Sequence, residues 1–186
     1  MLRNDLLCWI DLEMTSLRDA RKDQIIEIAV LLTDKELAIV AEGPDIVIHA
    51  DEALFADIPE SARALHEASG ILPEVAKSTV SLTEAEDTVL AFLGENVEPG
   101  TAPLCGNSIH MDRHFLKLQM PRLDEFLFYR CVDVSTGKEL ARRWAPRVYE
   151  EAKSRKGEAA HRAMDDIQAS LAELRFYRGA FFTRPD

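Results

Sequence analysis

The sequence predicts an α/β fold, a mixed β-sheet flanked by helices, in one domain over residues 1–186. Three observations carry this expectation. Strand-like segments crowd the chain up to Ala50, and helical and strand-like segments alternate after Ser81. That order places helices against a mixed sheet. A chain of 186 residues, 47% hydrophobic and 30% charged, has the composition of a folded domain. At this length it buries roughly 70% of its unfolded surface and needs no disulfide or metal staple to fold.

Leu6–Leu12 is a run of large apolar residues and reads as a buried strand. Gln24–Asp34 (QIIEIAVLLTD) and Glu36–Ala41 have β-branched residues with turn formers nearby, Asp45–Ala50 alternates, and Glu42-Gly43-Pro44 marks a turn or bulge. These read as four neighbouring antiparallel strands. Ser81-Leu82-Thr83-Glu84 has the capping-box pattern, with Val89, Leu90, Phe92, Leu93 and Val97 following at helix-like spacing. Pro103–Cys105 is short and apolar, and Gly106-Asn107-Ser108 marks a turn. Asp112–Gln119 reads as a helix ending near Pro121, and Tyr129–Val134 as a strand. Thr136–Trp144 reads as a helix stopped before Pro146, because the residue before a proline avoids helical backbone. The last helix is expected from about His161 to Tyr177, with Met164, Ile167, Leu171 and Leu174 on one face.

The charge balance, 33 acidic residues against 22 basic, gives a net charge of −11. Proteins that coat or track long nucleic acid present a basic surface, so that class is excluded, whereas a short anionic substrate held on metal ions is not. Basic residues concentrate between Lys138 and Lys156, where seven Lys/Arg and three Glu leave a local net of +4. The longest apolar runs, such as Leu6–Ile10 and Ile28–Leu32, are far shorter than the roughly 20 residues of a membrane span. No signal-peptide pattern opens the chain, and a cytoplasmic location is expected. Cys8, Cys105 and Cys131 lie far apart among apolar neighbours with no zinc-site spacing, and are expected to be buried thiols in a reducing compartment.

The chemistry-bearing residues are acidic. Asp11 and Glu13 stand two apart at a strand end, so both side chains leave the same face. Two carboxylates so placed beside an apolar run are costly unless a positive group neutralises them. Asp112, Asp165 and Asp166 open helices, where the helix dipole alone accounts for single acids. His161 precedes the last pair by four and five residues. As a set, these carboxylates are hard oxygen ligands suited to Mg²⁺ or Mn²⁺. Two such ions can stabilise both the attacking and the leaving oxygen of a phosphoryl displacement. Histidine, which ordinarily changes charge near neutral pH, suits the role of general base.

Three segments resemble the motifs of the oligoribonuclease family, the histidine-bearing branch of the four-acid (DEDD) 3′→5′ exonuclease superfamily. They are Trp9-Ile10-Asp11-Leu12-Glu13-Met14-Thr15, then Gly106-Asn107-Ser108-Ile109 with Asp112-Arg113 and Phe115-Leu116, then His161-Arg162-Ala163-Met164-Asp165-Asp166-Ile167. Asp133-Val134-Ser135-Thr136 with Lys138-Glu139-Leu140, Ala41-Glu42-Gly43-Pro44, and His66 with Ala68-Ser69-Gly70 extend the likeness over nearly the whole chain.

The resemblance implies a ribonuclease H-like fold and hydrolysis of very short RNA, dinucleotides above all, to mononucleotides. It implies two Mg²⁺ or Mn²⁺ ions per site. Asp11 would bridge both, Glu13 and Asp166 would complete the first, Asp112 would serve the second, and His161 would be the base. Asp166 is preferred to Asp165 on the family's spacing of five, although helix geometry favours residues four apart. The two agree if His161 lies ahead of the regular helix. Leu17 would wedge against a base, and His66, Ser108, Arg130 and Ser135 would hold the 5′-terminal phosphate. Tyr129 would reach the active site of a second subunit, which implies a homodimer. Ser16 replaces the family's usual glycine, and Ser61 falls about where many members carry a tryptophan that stacks on a base.

Three other readings remain open at this stage. Asp11-x-Glu13-x-Thr15 faintly resembles the nucleophile loop of haloacid-dehalogenase-type phosphatases, but Lys156–His161 lacks the Gly-Asp signal that family places before its late acidic pair. A catalytically dead nucleic-acid-binding module conflicts with the complete acid set. A proofreading or DNA-specific exonuclease of the same superfamily is a sister reading that matched RNA and DNA oligonucleotides would separate.

Overall fold

A computed structural model describes residues 1–56, 58–155 and 161–182. Its strands are β1 (Leu7–Met14), β2 (Ile25–Thr33), β3 (Ile39–Val47), β4 (Pro103–Gly106) and β5 (Phe128–Asp133). They form one sheet in the order β3-β2-β1-β4-β5. The β1–β2 and β2–β3 pairs are antiparallel; β1–β4 and β4–β5 are parallel. The helices are α1 (Glu60–Ser69), α2 (Leu72–Lys77), α3 (Leu82–Asn96), α4 (His110–Gln119), α5 (Pro121–Phe126), α6 (Val134–Trp144), α7 (Pro146–Arg155) and α8 (Ala163–Phe181). The predicted mixed sheet with flanking helices is the observed architecture.

The period of two along β1 divides the core. Cys8, Ile10, Leu12 and Met14 pack with Val89 and Leu93 of α3 and with Phe115 and Leu116 of α4. Trp9 faces the other way, into a second cluster with Val134 and Ala141 of α6 and Ile167 and Leu171 of α8. Asp11 and Glu13 share the face of Trp9, so the strand that carries core residues at its start delivers two carboxylates toward α8 at its end. The capping box forms as expected: the Glu84 N–H donates to Ser81 Oγ at 3.2 Å, and the Ser81 N–H donates to Glu84 Oε2 at 2.8 Å.

Several expectations require correction. The separate strands Glu36–Ala41 and Asp45–Ala50 are one bent strand, β3. Ala29 pairs with Asp45 and Leu31 with Glu42, so Gly43 and Pro44 together face Val30 in a bulge. Gly43 is required there, because a Cβ would stand 2.6 Å from the Phe92 ring and 2.9 Å from the Val30 carbonyl oxygen. The helix expected from Thr136 begins at Val134, where the Asp133 carboxylate caps it by accepting from the Ser135 N–H. The helix expected from Asp112 begins at His110. Cys131 is exposed, whereas Cys8 and Cys105 are buried; β5 is an edge strand with less cover than β1 and β4. Four helices, α1, α2, α5 and α7, were not expected. Lys156 and the segment 157–160 lie outside the described residues. Among the described residues no helix is long and apolar enough to cross a membrane.

Candidate active site

Each acid reaches the site by a different local device. Asp11 and Glu13 come from the end of β1, beyond the point where β4 pairs with it at Cys8 and Trp9. Past that pairing, Asp112 takes the place of a neighbouring strand: its Oδ1 accepts the Leu12 N–H at 3.1 Å. A buried strand N–H is thereby satisfied, and Asp112 is locked against β1. The turn leading into α4 is tight at Gly106, where a Cβ would stand 2.8 Å from the Ile109 side-chain tip and 3.3 Å from the Ile10 carbonyl oxygen.

The last acid and the histidine are joined by a backbone irregularity. His161 has φ 50°, in the left-handed region, and α8 starts only at Ala163. The spacing of five therefore does not lie on one regular helix. Ligand atoms of Glu13, His161 and Asp166 all fall within 4.8 Å of one another. Asp165 is exposed. Asp165 is not part of that grouping.

Electrostatics mark the same cluster. Burial, then the charges of Asp112, Glu13, Asp166 and Glu27, push the Asp11 carboxyl well above its ordinary range. Burial and then the repulsion of Asp166, Glu27 and Asp112 raise Glu13 to about 8, with Arg162 opposing. Burial raises Asp112 to about 7 against the opposing hydrogen bonds from backbone N–H groups, including that of Leu12. Carboxylates crowded together at this cost fit divalent cations bound by oxygen, because positive charge would relieve both the repulsion and the desolvation.

Asp11, Asp165 and Asp166 line a cavity together with Asn107, Ser108 and Ser135. Ser108 has φ 52°, and its N–H donates to Asp133 Oδ1 at 3.0 Å and Ser135 Oγ at 2.8 Å. The Ser135 hydroxyl donates to Asn107 Oδ1 at 3.1 Å. Asn107 Nδ2 donates to Ser170 at 2.9 Å and to Glu173 at 3.2 Å, both on α8. The two serines expected at the phosphate are thus held together beside the acids. Leu17 projects from the loop after β1 with 59% of its surface exposed. Asp23 Oδ2 accepts the N–H groups of Arg18 and Asp19, and Gln119 clamps Ala20, Asp23 and Ile25, so the loop is fixed while its apolar tip stays bare. His66 on α1 is buried, its Nε2 lying 3.3 Å from the Thr15 carbonyl oxygen of the same loop. Ser16 has no positive φ and its hydroxyl accepts from Arg18, so serine is accommodated. Ser61 is exposed on the first turn of α1.

Arg130 and Tyr129 stand apart, on edge strand β5. Arg130 Nε donates to Tyr129 Oη at 2.9 Å, and its guanidinium lies 5.3 Å from the tyrosine ring centre. Neither is part of the cavity lining within one chain.

Glu27 is a site residue that the sequence reading missed. It pairs across the ladder with Glu13 and is fully buried. The signal was available: a charged residue inside an otherwise unbroken apolar strand needs a dedicated partner.

The sheet, antiparallel at its start and in the order β3-β2-β1-β4-β5, thus carries a cluster of acids at the end of β1, and the comparisons with known proteins place this arrangement in the exonuclease class. A sequence model of the family described as Exonuclease matches residues 8–174. The oligoribonuclease of Marinobacter nauticus is 51% identical over 98% of this chain and 99% of its own length. That of Rhodococcus jostii is 53% identical over 96% and 88%. The chain belongs to the oligoribonuclease family, within the DEDD exonuclease superfamily. Solved structures share the fold at lower identity. Exonuclease I of Methylocaldum szegediense matches 95% of this chain with TM-score 0.69 and 18% identity. An E. coli exonuclease I complex with single-stranded DNA matches 96% with TM-score 0.72 and 14% identity. The chain spans about two fifths of the length of those structures, 41% in each.

Proposed function

We propose that this 3′→5′ exoribonuclease removes mononucleotides from very short RNA, dinucleotides above all, with two divalent ions and His161 as general base. The observation that carries the reading is the convergence of Glu13, His161 and Asp166 within 4.8 Å, beside Asp11. Asp11, Glu13 and Asp166 would hold one Mg²⁺ or Mn²⁺, and Asp11 with Asp112 the other; bound there, the ions supply positive charge to the scissile phosphate and acidify water. His161 accepts a proton at a ring nitrogen from the attacking water. The new P–O bond forms as the P–O3′ bond breaks, and the departing 3′-oxygen takes a proton from solvent, releasing a nucleoside 5′-monophosphate and a shorter RNA with a 3′-hydroxyl.

The 5′ side of the substrate falls to Leu17 against a base and to Ser108 and Ser135 at the terminal phosphate. His66 and Arg130 complete that grip. Tyr129 and Trp144, 70% and 75% exposed, support a homodimer in which Tyr129 reaches the partner subunit's site. Such a closed site and a net charge of −11 both disfavour long RNA. Free thiols fit a cytoplasmic setting.

A product-length time course on labelled RNAs of two to ten nucleotides, with chelator and then with Mg²⁺ or Mn²⁺, tests the proposal. The expected result is activity only with metal and the highest kcat/KM on dinucleotides. Efficiency that is flat or rises with length would refute the compact site. Matched DNA substrates test the RNA preference.

A further inference from the structure

We infer that Glu27 and Arg162 are positioning residues for His161: the buried Glu27 carboxylate grips Arg162, the next residue in the chain, and so holds the histidine against Glu13 and Asp166. This rests on His161 being the base.

The contacts are specific. Glu27 Oε1 accepts from Arg162 Nε at 2.9 Å and lies 2.7 Å from Nη2. Its other oxygen, Oε2, accepts the Ala163 N–H at 2.9 Å. Arg162 is the N-cap of α8 and supplies no side-chain cap, so Glu27 provides from another element the acceptor that the helix start lacks. Glu74 on α2 takes the far side of the guanidinium with two contacts of 2.9 Å. Arg162 is therefore clamped from both sides, and its fork is committed to protein carboxylates.

The arrangement has a cost that a purely structural contact would avoid. Glu27 is 0% exposed and faces Glu13 across the ladder, so two acids stand side by side at the edge of the acid cluster. A buried carboxylate is retained only when paired and hydrogen-bonded. Immediately before the clamp, His161 adopts φ 50°, a conformation that L residues avoid and that persists when the surroundings over-determine it. The clamp on Arg162 is that surrounding. Both Glu27 oxygens are engaged, which separates its role from that of the metal-ligand carboxylates.

Glu27→Gln tests this. The amide oxygen can still accept from Ala163, while the grip on Arg162 is lost. A misplacement of about 1 Å at a reacting group can cost 10²-fold. On a 5′-phosphorylated dinucleotide at saturating Mg²⁺, kcat should fall about 10–100-fold, while KM stays within about threefold of wild type. In the His161→Ala background the same substitution should change kcat less than about threefold, since the group it positions is gone. Circular dichroism checks folding, and Arg162→Lys, which keeps the charge but not the fork, is run in parallel with the same expectation. A folded Glu27→Gln protein with wild-type kcat, or an equal loss with and without His161, overturns the inference; if that protein does not fold, the Arg162→Lys result decides by the same criteria. Full turnover in His161→Ala alone would instead overturn the base reading.

Discussion

Glu13→Gln should stabilise the metal-free protein at alkaline pH while abolishing its activity. Glu13 in the folded chain keeps its proton up to about pH 8, whereas its ordinary value is 4.5. Between those values unfolding releases a proton. The stability from the protonated folded form is therefore fully present below pH 4.5 and is lost as pH rises toward 8. Holding a proton across that interval corresponds to about 5 kcal/mol at 1.36 kcal/mol per pH unit. Glu13 is partly exposed and shares its repulsion with Asp11 and Asp166, so roughly 2–3 kcal/mol is expected. For a chain of this size that is about 5–10 °C in Tm. Thermal denaturation in chelator at pH 5 and pH 8.5 measures it. The variant should match wild type within a few degrees at pH 5 and exceed it at pH 8.5. Mg²⁺ should raise the wild-type Tm most at pH 8.5 and the variant's less. An unchanged or lower variant Tm at pH 8.5 would refute a repulsive acid cluster awaiting positive charge.

Three further outcomes are expected. Asp166→Asn should lower dinucleotide kcat by orders of magnitude, whereas the exposed neighbour substitution Asp165→Asn should leave it within about threefold; equal losses would remove the distinction between them. Arg130→Ala should weaken a 5′-phosphorylated dinucleotide by roughly 1.5–3 kcal/mol and a dinucleotide lacking that phosphate much less, as read from kcat/KM on the pair. Gly43→Ala should destabilise the fold by about 1–3 kcal/mol in urea titration, because its Cβ meets both Phe92 and the Val30 carbonyl; an unchanged midpoint would refute the tight bulge.

Much of the fold is local and was readable. The apolar runs of β1 and β2, the capping box at Ser81 and the amphipathic spacing of α8 need only neighbours in sequence. Three of the errors share one cause, signals with two meanings. Pro121 and Pro146 were read as stops, and each also opens the next helix, because the first turn needs no donor from proline. Gly43-Pro44 was read as a break between strands and is a bulge within one. The turn residues are the same in both cases; only the partner strand decides whether pairing resumes.

The acids themselves were legible as residue types at element ends, and the family likeness ranked them. Convergence was not legible. Leu12 meets Asp112 across 100 positions, and Arg162 meets Glu27 across 135. The spacing of five between His161 and Asp166 looked wrong for a helix until the left-handed backbone at His161 placed the helix start after it. The sequence by itself determined the strands β1 and β2, the helices α3 and α8 in outline, which face of β1 carries carboxylates, and the family. Tertiary structure alone decided that Asp112 completes a strand edge, that Glu27 is buried beside Glu13, and that the backbone turns left-handed at His161 before α8 begins. Local pattern reports the energetics of neighbours along the chain, whereas a buried charge is tolerated only by partners that the topology brings from far along it.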